Sequence, residues 1–305
     1  MADGAKKSGC GCGVSIQNAG LGGATNSICH GFTGGVAIGG GRRLRIPRVV
    51  LVCWDNFFVT TPAAVTSATL LVKDLVTGPF MNGLVQYGIS RGSVNNPITL
   101  DTKTFPAPVT WDSNGNADQT QVLAFVNNNN ISPKPAVNEG SLIFLFLLPT
   151  TTTLTNGNNA NGTPNTNVCG WHHAAKFNSS SKDDDLFWAV VRTDSAPKTS
   201  GTAFVNSLAF CVGHELVEAF TDRDSGGYIA SNGCEIGDIC ELNNFGYRTW
   251  TSVEQYWSNW DRACINGDKP VSVRQYMAAR KLNPAAGLRA LHTPVISTDW
   301  MASTL

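Results

Sequence analysis

His214 and Glu218 stand four residues apart in the run Gly213-His214-Glu215-Leu216-Val217-Glu218. On a helix that spacing puts both side chains on one face, about 6 Å apart along the axis, where both can reach one metal ion. Glu215 is rotated by about 100° from His214, a position from which a carboxylate can address a water at the metal without occupying a ligand position. The pattern is HExxH with its second histidine replaced by glutamate. An anionic ligand still suits Zn2+, and makes a water at the site less acidic than three histidines would.

Taken alone, five residues fit an amphipathic helix with two exposed acids equally well. The chain that follows shifts the balance, because it presents the acidic run Cys234-Glu235-Ile236-Gly237-Asp238-Ile239-Cys240-Glu241. A third ligand is expected from that run, with Glu235 preferred and Asp238 next. Asp222 is eight residues beyond His214, about 12 Å along a helix, too far to share the ion unless the helix breaks early. With Asp224 it reads as a hydrogen-bonding residue at the helix end. A second candidate segment is Cys169-Gly170-Trp171-His172-His173. Adjacent strand residues point to opposite faces, so at most one histidine faces the site: His172, polarising a substrate carbonyl or ligating the metal, with His173 packing elsewhere.

These residues need a scaffold. Val49 to Trp54 (VVLVCW) and Leu142 to Leu148 are continuous apolar runs of strand length, as expected for strands buried on both faces. Leu186 to Val191 is a third. Thr60-Thr61-Pro62 opens a helix with apolar positions at Val65, Ala68, Leu71 or Val72, Leu75 and Val76. Gly78-Pro79 interrupts it, and Phe80 to Tyr87 reads as a short helix ended by Gly88. Ser90 to Asp112 reads as strand and loop, Ala117 to Asn127 as another helix, and Thr150 to Asn167 as a Thr/Asn/Gly loop. Thr202 to Phe220 forms the long helix that carries the HELVE motif. The order predicts one α/β or α+β domain, a mixed sheet packed on helices, with a loop-rich C-terminal part. Residues 1–46 read as a Gly-rich arm laid over the domain, 47–270 as the domain itself, and 271–305 as an extension packed on it.

The chain has 305 residues, 42% of them hydrophobic, enough for a sizeable core. Lys plus Arg (22) equals Asp plus Glu (22), and the one dense basic run, Arg42 to Arg48, lacks the extent of a nucleic-acid surface. No nucleic-acid partner is expected, nor a membrane span, since no apolar run approaches the roughly 20 residues that a bilayer requires. The first ten residues hold two lysines and no apolar run behind them, so no conventional export signal is expected. Only 14% of residues are charged and many segments are rich in Asn, Thr, Gly and Ser, a composition of secreted proteins. The expectation is an extracellular location or export by a non-classical route, with the cytoplasm as the alternative. Of nine cysteines at least one is unpaired, Cys10-Gly11-Cys12 is awkward for a mutual bridge, and Cys53 and Cys211 read as buried thiols.

His30-Gly31, Gly34-Gly35-Val36 and Val49 to Trp54 resemble the opening of the plant phosphate-induced protein 1 (Exordium-like) family. GHELVEAFTD (213–222), EIGDIC (235–240), VEQYWSN (253–259) followed by Cys264, CGWH (169–172) and Gly78-Pro79-Phe80-Met81 resemble bacterial, mostly secreted relatives of that family with a zincin-type motif. The resemblance spans roughly residues 30 to 265. It implies a zincin-like metallopeptidase fold binding zinc, with His214 and Glu218 in ligand positions, Glu215 in the base position, and a Cys240–Cys264 bridge. Arg223 stands where relatives commonly have Pro. The resulting expectation is a zinc endopeptidase acting on peptide or protein substrates, in which Glu215 takes the proton of the attacking water and returns it to the leaving amine. The competing expectation is a non-catalytic extracellular or cell-surface binding protein whose acidic cluster holds a structural Ca2+ or Zn2+.

Overall fold

The computed structural model describes residues 29, 35–38, 43–104, 106–107, 110–112, 117–128, 142–149, 151–155, 169–176, 185–193, 201–222, 227–231, 233–240 and 243–268. Cys10, Cys12, Arg223, Asp224, Glu241, most of the Gly-rich arm and the 271–305 extension lie outside the described residues.

In chain order the elements are β1 (Ala37–Ile38), β2 (Arg48–Trp54), α1 (Asn56–Thr60), α2 (Pro62–Thr77), a 3-10 helix (Pro79–Tyr87), β3 (Ser93–Val94), β4 (Ile98–Leu100), β5 (Thr110–Asp112) and α3 (Ala117–Asn128). There follow β6 (Leu142–Leu148), β7 (Thr153–Thr155), β8 (Gly170–Lys176), β9 (Asp185–Arg192), α4 (Gly201–Thr221) and β10 (Tyr228–Ile229). A 3-10 turn (Asp238–Cys240), β11 (Asn244–Tyr247), β12 (Trp250–Glu254), β13 (Tyr256–Ser258) and β14 (Ala263–Ile265) complete the described chain.

The three apolar runs become the centre of a six-stranded sheet, β2, β6 and β9, all parallel. They are apolar throughout because both faces are covered. Val49, Leu51, Cys53, Ile143, Leu145 and Leu147 join one core with α2 and α4. Their alternating neighbours, such as Val50, Val52, Phe144 and Phe146, join a second core with Val122, Phe125 and Val126 of α3. β3 and β4 lie parallel beside β2 at one edge, and β8 closes the other edge antiparallel to β9. The sheet is therefore mixed and sandwiched between helices, an α/β domain as the element order predicts.

Within α2, Ala64, Ala68, Leu71, Val72, Leu75 and Val76 form the buried stripe, and Pro62 opens the helix without a capping side chain from Thr61. Gly88 closes the 3-10 helix at φ 75, the left-handed conformation that a glycine adopts without strain. The short α1, capped by Asp55 Oδ1 accepting from the Phe57 amide at 2.9 Å, is absent from the sequence reading. The C-terminal part is more regular than expected, because β11–β12 and β13–β14 form two antiparallel pairs. The described piece of the N-terminal arm adds to the domain as a strand: β1 pairs with β10, and the Asn259 side chain accepts from the Val36 amide at 3.0 Å and donates to its carbonyl at 2.7 Å.

Three disulfides join Cys29 to Cys234, Cys169 to Cys211 and Cys240 to Cys264. The last is the pairing that the resemblance implies. The expectation of a buried thiol holds for Cys53 and fails for Cys211, which is bridged to Cys169. The apolar surroundings that make Cys211 look like a filler of the helix stripe are also what buries a bridge. Three bridges fit an oxidising compartment of extracellular type. No helix among the described residues is long and apolar enough to cross a membrane.

Candidate metal centre

Helix α4 leaves β9 and runs across the sheet face, packed on α2, β8 and β12. Its inner stripe, Leu208, Cys211, Leu216, Val217 and Phe220 among others, is fully buried, and His214, Glu215 and Glu218 are buried with it. Charged groups sit at that depth only when the surroundings compensate them. What surrounds them is a convergence of four segments.

On α4 itself, His214 Nε2 lies 3.2 Å from Glu218 Oε2. The run Glu235–Asp238 brings Asp238 Oδ1 to 3.8 Å from the same nitrogen, and the Asp238 amide donates to Glu218 Oε1 at 3.0 Å. Edge strand β8 supplies His172, whose Nδ1 is 3.5 Å from Glu215 Oε2 and 3.7 Å from Glu218 Oε2, and whose Nε2 is 3.3 Å from Glu235 Oε1. The Asp222 carbonyl also lies 3.3 Å from that Nε2. The fourth segment is β12, which sets Glu254 Oε2 2.5 Å from His214 Nδ1.

All six residues singled out in the sequence thus converge. Adjacent histidines diverge as strand alternation requires: His172 enters the site, while the His173 ring packs edge-on against Trp188. Asp222 follows the last residue of α4, and its Oδ1 accepts from the Gly227 amide at 2.6 Å, the helix-end role expected of it. Asp238, rather than Glu235, groups with His214 and Glu218; Glu235 groups with His172 and Glu218. Gly237 between them is a close approach, since a Cβ there would fall 2.8 Å from Glu218 Oε1 and 3.1 Å from His214 Nδ1.

Glu254 is the residue that the sequence reading misses, although it sits in the quoted VEQYWSN run. A carboxylate on Nδ1 accepts a hydrogen bond from that nitrogen and orients the ring so that Nε2 faces Glu218 and Asp238. The nitrogen and the two carboxylate oxygens that face it are donors of a kind that could hold a cation. Ligands bound to one Zn2+ at about 2.0–2.1 Å in a tetrahedron stand about 3.3 Å apart, close to the 3.2 Å between His214 and Glu218 and shorter than the 3.8 Å between His214 and Asp238. For a zinc ion held by this cluster, replacing Glu254 with Gln should weaken binding about 10- to 100-fold, measured by competition with a chromophoric chelator; unchanged affinity would remove Glu254 from the site.

Burial and neighbouring charges shift the groups of the cluster in both directions. Burial, with help from the Glu218 charge, pushes the Glu235 carboxyl well above its ordinary value, and burial likewise raises Glu215 against the opposing pull of His172 and His214. Burial works against the His172 cation, but Glu235, Glu215 and Glu218 outweigh it and raise its pKa well above the ordinary value. Glu218 alone goes down: burial is overcome by His214, His172 and the Asp238 amide.

A carboxyl raised by folding loses stability as pH rises from its unfolded value, about 4.5, towards its folded one. A raised histidine contributes stability that is lost as pH climbs through its folded pKa. The lowered Glu218 opposes this only below about pH 4.5. Metal-free protein should therefore melt at a lower temperature at about pH 8 than at about pH 5, and added zinc should stabilise it more at the higher pH. A higher melting temperature at the higher pH would contradict these assignments.

No protein-family model, curated protein or solved structure matches the chain.

Proposed function

We propose that the chain is a zinc-dependent endopeptidase of zincin-like type, related to the bacterial Exordium-like proteins that it resembles. The observation that supports this reading is the placement of Glu215. It is buried beside the ligand groups, 3.5 Å from His172, yet belongs to neither set of carboxylates and imidazole that converges on Glu218. A purely structural metal site has no use for such a carboxylate.

His214, Glu218 and Asp238 are the residues that would hold the zinc, with Glu254 orienting His214. When bound there, a zinc ion supplies Lewis acidity toward a water and a substrate carbonyl. Glu215 accepts the proton of the attacking water on its carboxylate, the hydroxyl oxygen joins the carbonyl carbon, the C–N bond breaks, and Glu215 delivers the proton to the amine nitrogen. His172, 3.5 Å away, helps to hold the Glu215 carboxylate in place.

Calcium in a non-catalytic binding protein fits the cluster less well. Ca2+ takes six to eight oxygen ligands, whereas imidazole nitrogens face the carboxylates here, a mixture that suits zinc. Exported protein with its three bridges formed is the state expected to be active. The test is hydrolysis of denatured casein: stripping the metal with 1,10-phenanthroline should abolish it and Zn2+ should restore it. Casein left intact by zinc-loaded protein, or hydrolysis indifferent to the chelator, would contradict the reading.

A further inference from the structure

We propose that Asp222 is a positioning residue of this centre: its side chain closes the turn behind α4 so that its own carbonyl holds the His172 ring against Glu215. The proposal deepens the endopeptidase reading above and rests on it. Asp222 follows the last residue of α4, where backbone carbonyls have no partner within the helix. It is fully buried, and the backbone holds it from two sides. Its amide donates to the Glu218 carbonyl at 2.7 Å, and its Oδ1 accepts from the Gly227 amide at 2.6 Å. Gly227 lies hard against the helix end, since a Cβ there would fall 2.0 Å from the Thr221 carbonyl oxygen and 2.6 Å from Asp222 Cα.

The Asp222 carbonyl faces His172 Nε2 at 3.3 Å. A carbonyl oxygen accepts and has no proton to give, so this contact requires the proton on Nε2. It also removes the two-fold choice that an imidazole has about its χ2 torsion. A half-turn of the ring would put Cε1 in place of Nε2 against the carbonyl. It would also put Cδ2 in place of Nδ1 against Glu215 Oε2, which now stands 3.5 Å from that nitrogen. The same turn brings Glu235 to the ring. β10 begins directly after Gly227, and Ile229 of that strand bridges to Glu235, whose Oε1 is 3.3 Å from Nε2. The Asp222 carbonyl and Glu235 thus meet one ring nitrogen while Glu215 and Glu218 face the other. Asp222 acts on Glu215 through this ring.

The test reads the ring directly. Full-length, disulfide-intact protein carrying nitrogen-15-labelled histidine is observed by long-range proton–nitrogen correlation, with His172 assigned from His172→Gln. Wild type should show His172 with a proton on Nε2. Asp222→Ala should lose that signal to exchange with water, and Asp222→Asn, whose amide oxygen can still accept from Gly227, should keep it. In casein hydrolysis Asp222→Ala should lower kcat about 10²-fold, the cost of displacing a catalytic group by about 1 Å, with KM and zinc content unchanged, and Asp222→Asn should recover most of the loss. A wild-type Nε2 without a proton, an unmoved signal in Asp222→Ala, or an Asp222→Asn variant as slow as Asp222→Ala would overturn the proposal. Wild type that leaves casein intact would overturn the endopeptidase reading, and the ring spectrum alone would then decide whether Asp222 holds His172.

Discussion

Glu215→Gln should lower casein hydrolysis by about 10²- to 10⁴-fold, the range of a lost general base, while leaving the metal content unchanged. The amide keeps the size of the side chain and can still face His172, so the packing against Gly170 and the Cys169–Cys211 bridge should survive. It removes the one function assigned to this carboxylate, the acceptance of a proton. Because Glu215 belongs to neither ligand set with Glu218, loss of activity together with loss of metal would mean that the residue had been placed wrongly. Retained activity would mean that the hydrolysis uses another base.

The second large effect is expected from the bridge between Cys169 and Cys211. Each disulfide ends close to a residue of the centre. Cys169 and Cys211 are three residues before His172 and His214, Cys234 precedes Glu235, and Cys240 is two residues beyond Asp238. The bridges thus tie together the separate segments that must converge. Closing a loop with a sequence separation of 42 contributes about 4 kcal/mol through the unfolded chain. Cys169→Ser with Cys211→Ser should lower stability by about that amount in denaturant melts and lower casein hydrolysis as well, because edge strand β8, which carries His172 against Glu215, is then less firmly tied to α4. A stability change below about 1 kcal/mol with hydrolysis unaltered would show that sheet pairing alone holds His172.

The parts of this centre that were legible in the sequence are those where spacing is the geometry. In HELVE the helix repeat fixes which side chains share a face, so His214, Glu215 and Glu218 could be assigned from their numbers. Strand alternation did the same for His172 against His173. The three apolar runs gave the sheet, since only strands covered on both faces are apolar at every position. Glu254 was not legible, because it ends a short strand, Trp250-Thr251-Ser252-Val253-Glu254, whose pattern says nothing of the helix lying against it. Its position depends on packing between α4 and the β11–β12 pair, a contact between segments 40 residues apart.

The choice between Glu235 and Asp238 failed to resolve for a related reason. Both lie in one loop, and only the turn at Gly237, pressed against Glu218 and His214, decides which carboxylate meets which histidine. Cysteine pairing was opaque because nine cysteines allow many connectivities, and a buried half-cystine looks the same as a buried thiol. The four short strands of the C-terminal part were hidden by their length, as was α1.

The most direct test of the central claim is the metal content of the purified protein, by inductively coupled plasma mass spectrometry, for wild type and for Glu218→Ala, whose carboxylate is common to both ligand sets. Wild type should carry zinc in at least stoichiometric amount and Glu218→Ala should carry none. Wild type without zinc, or a variant that keeps it, would contradict the account.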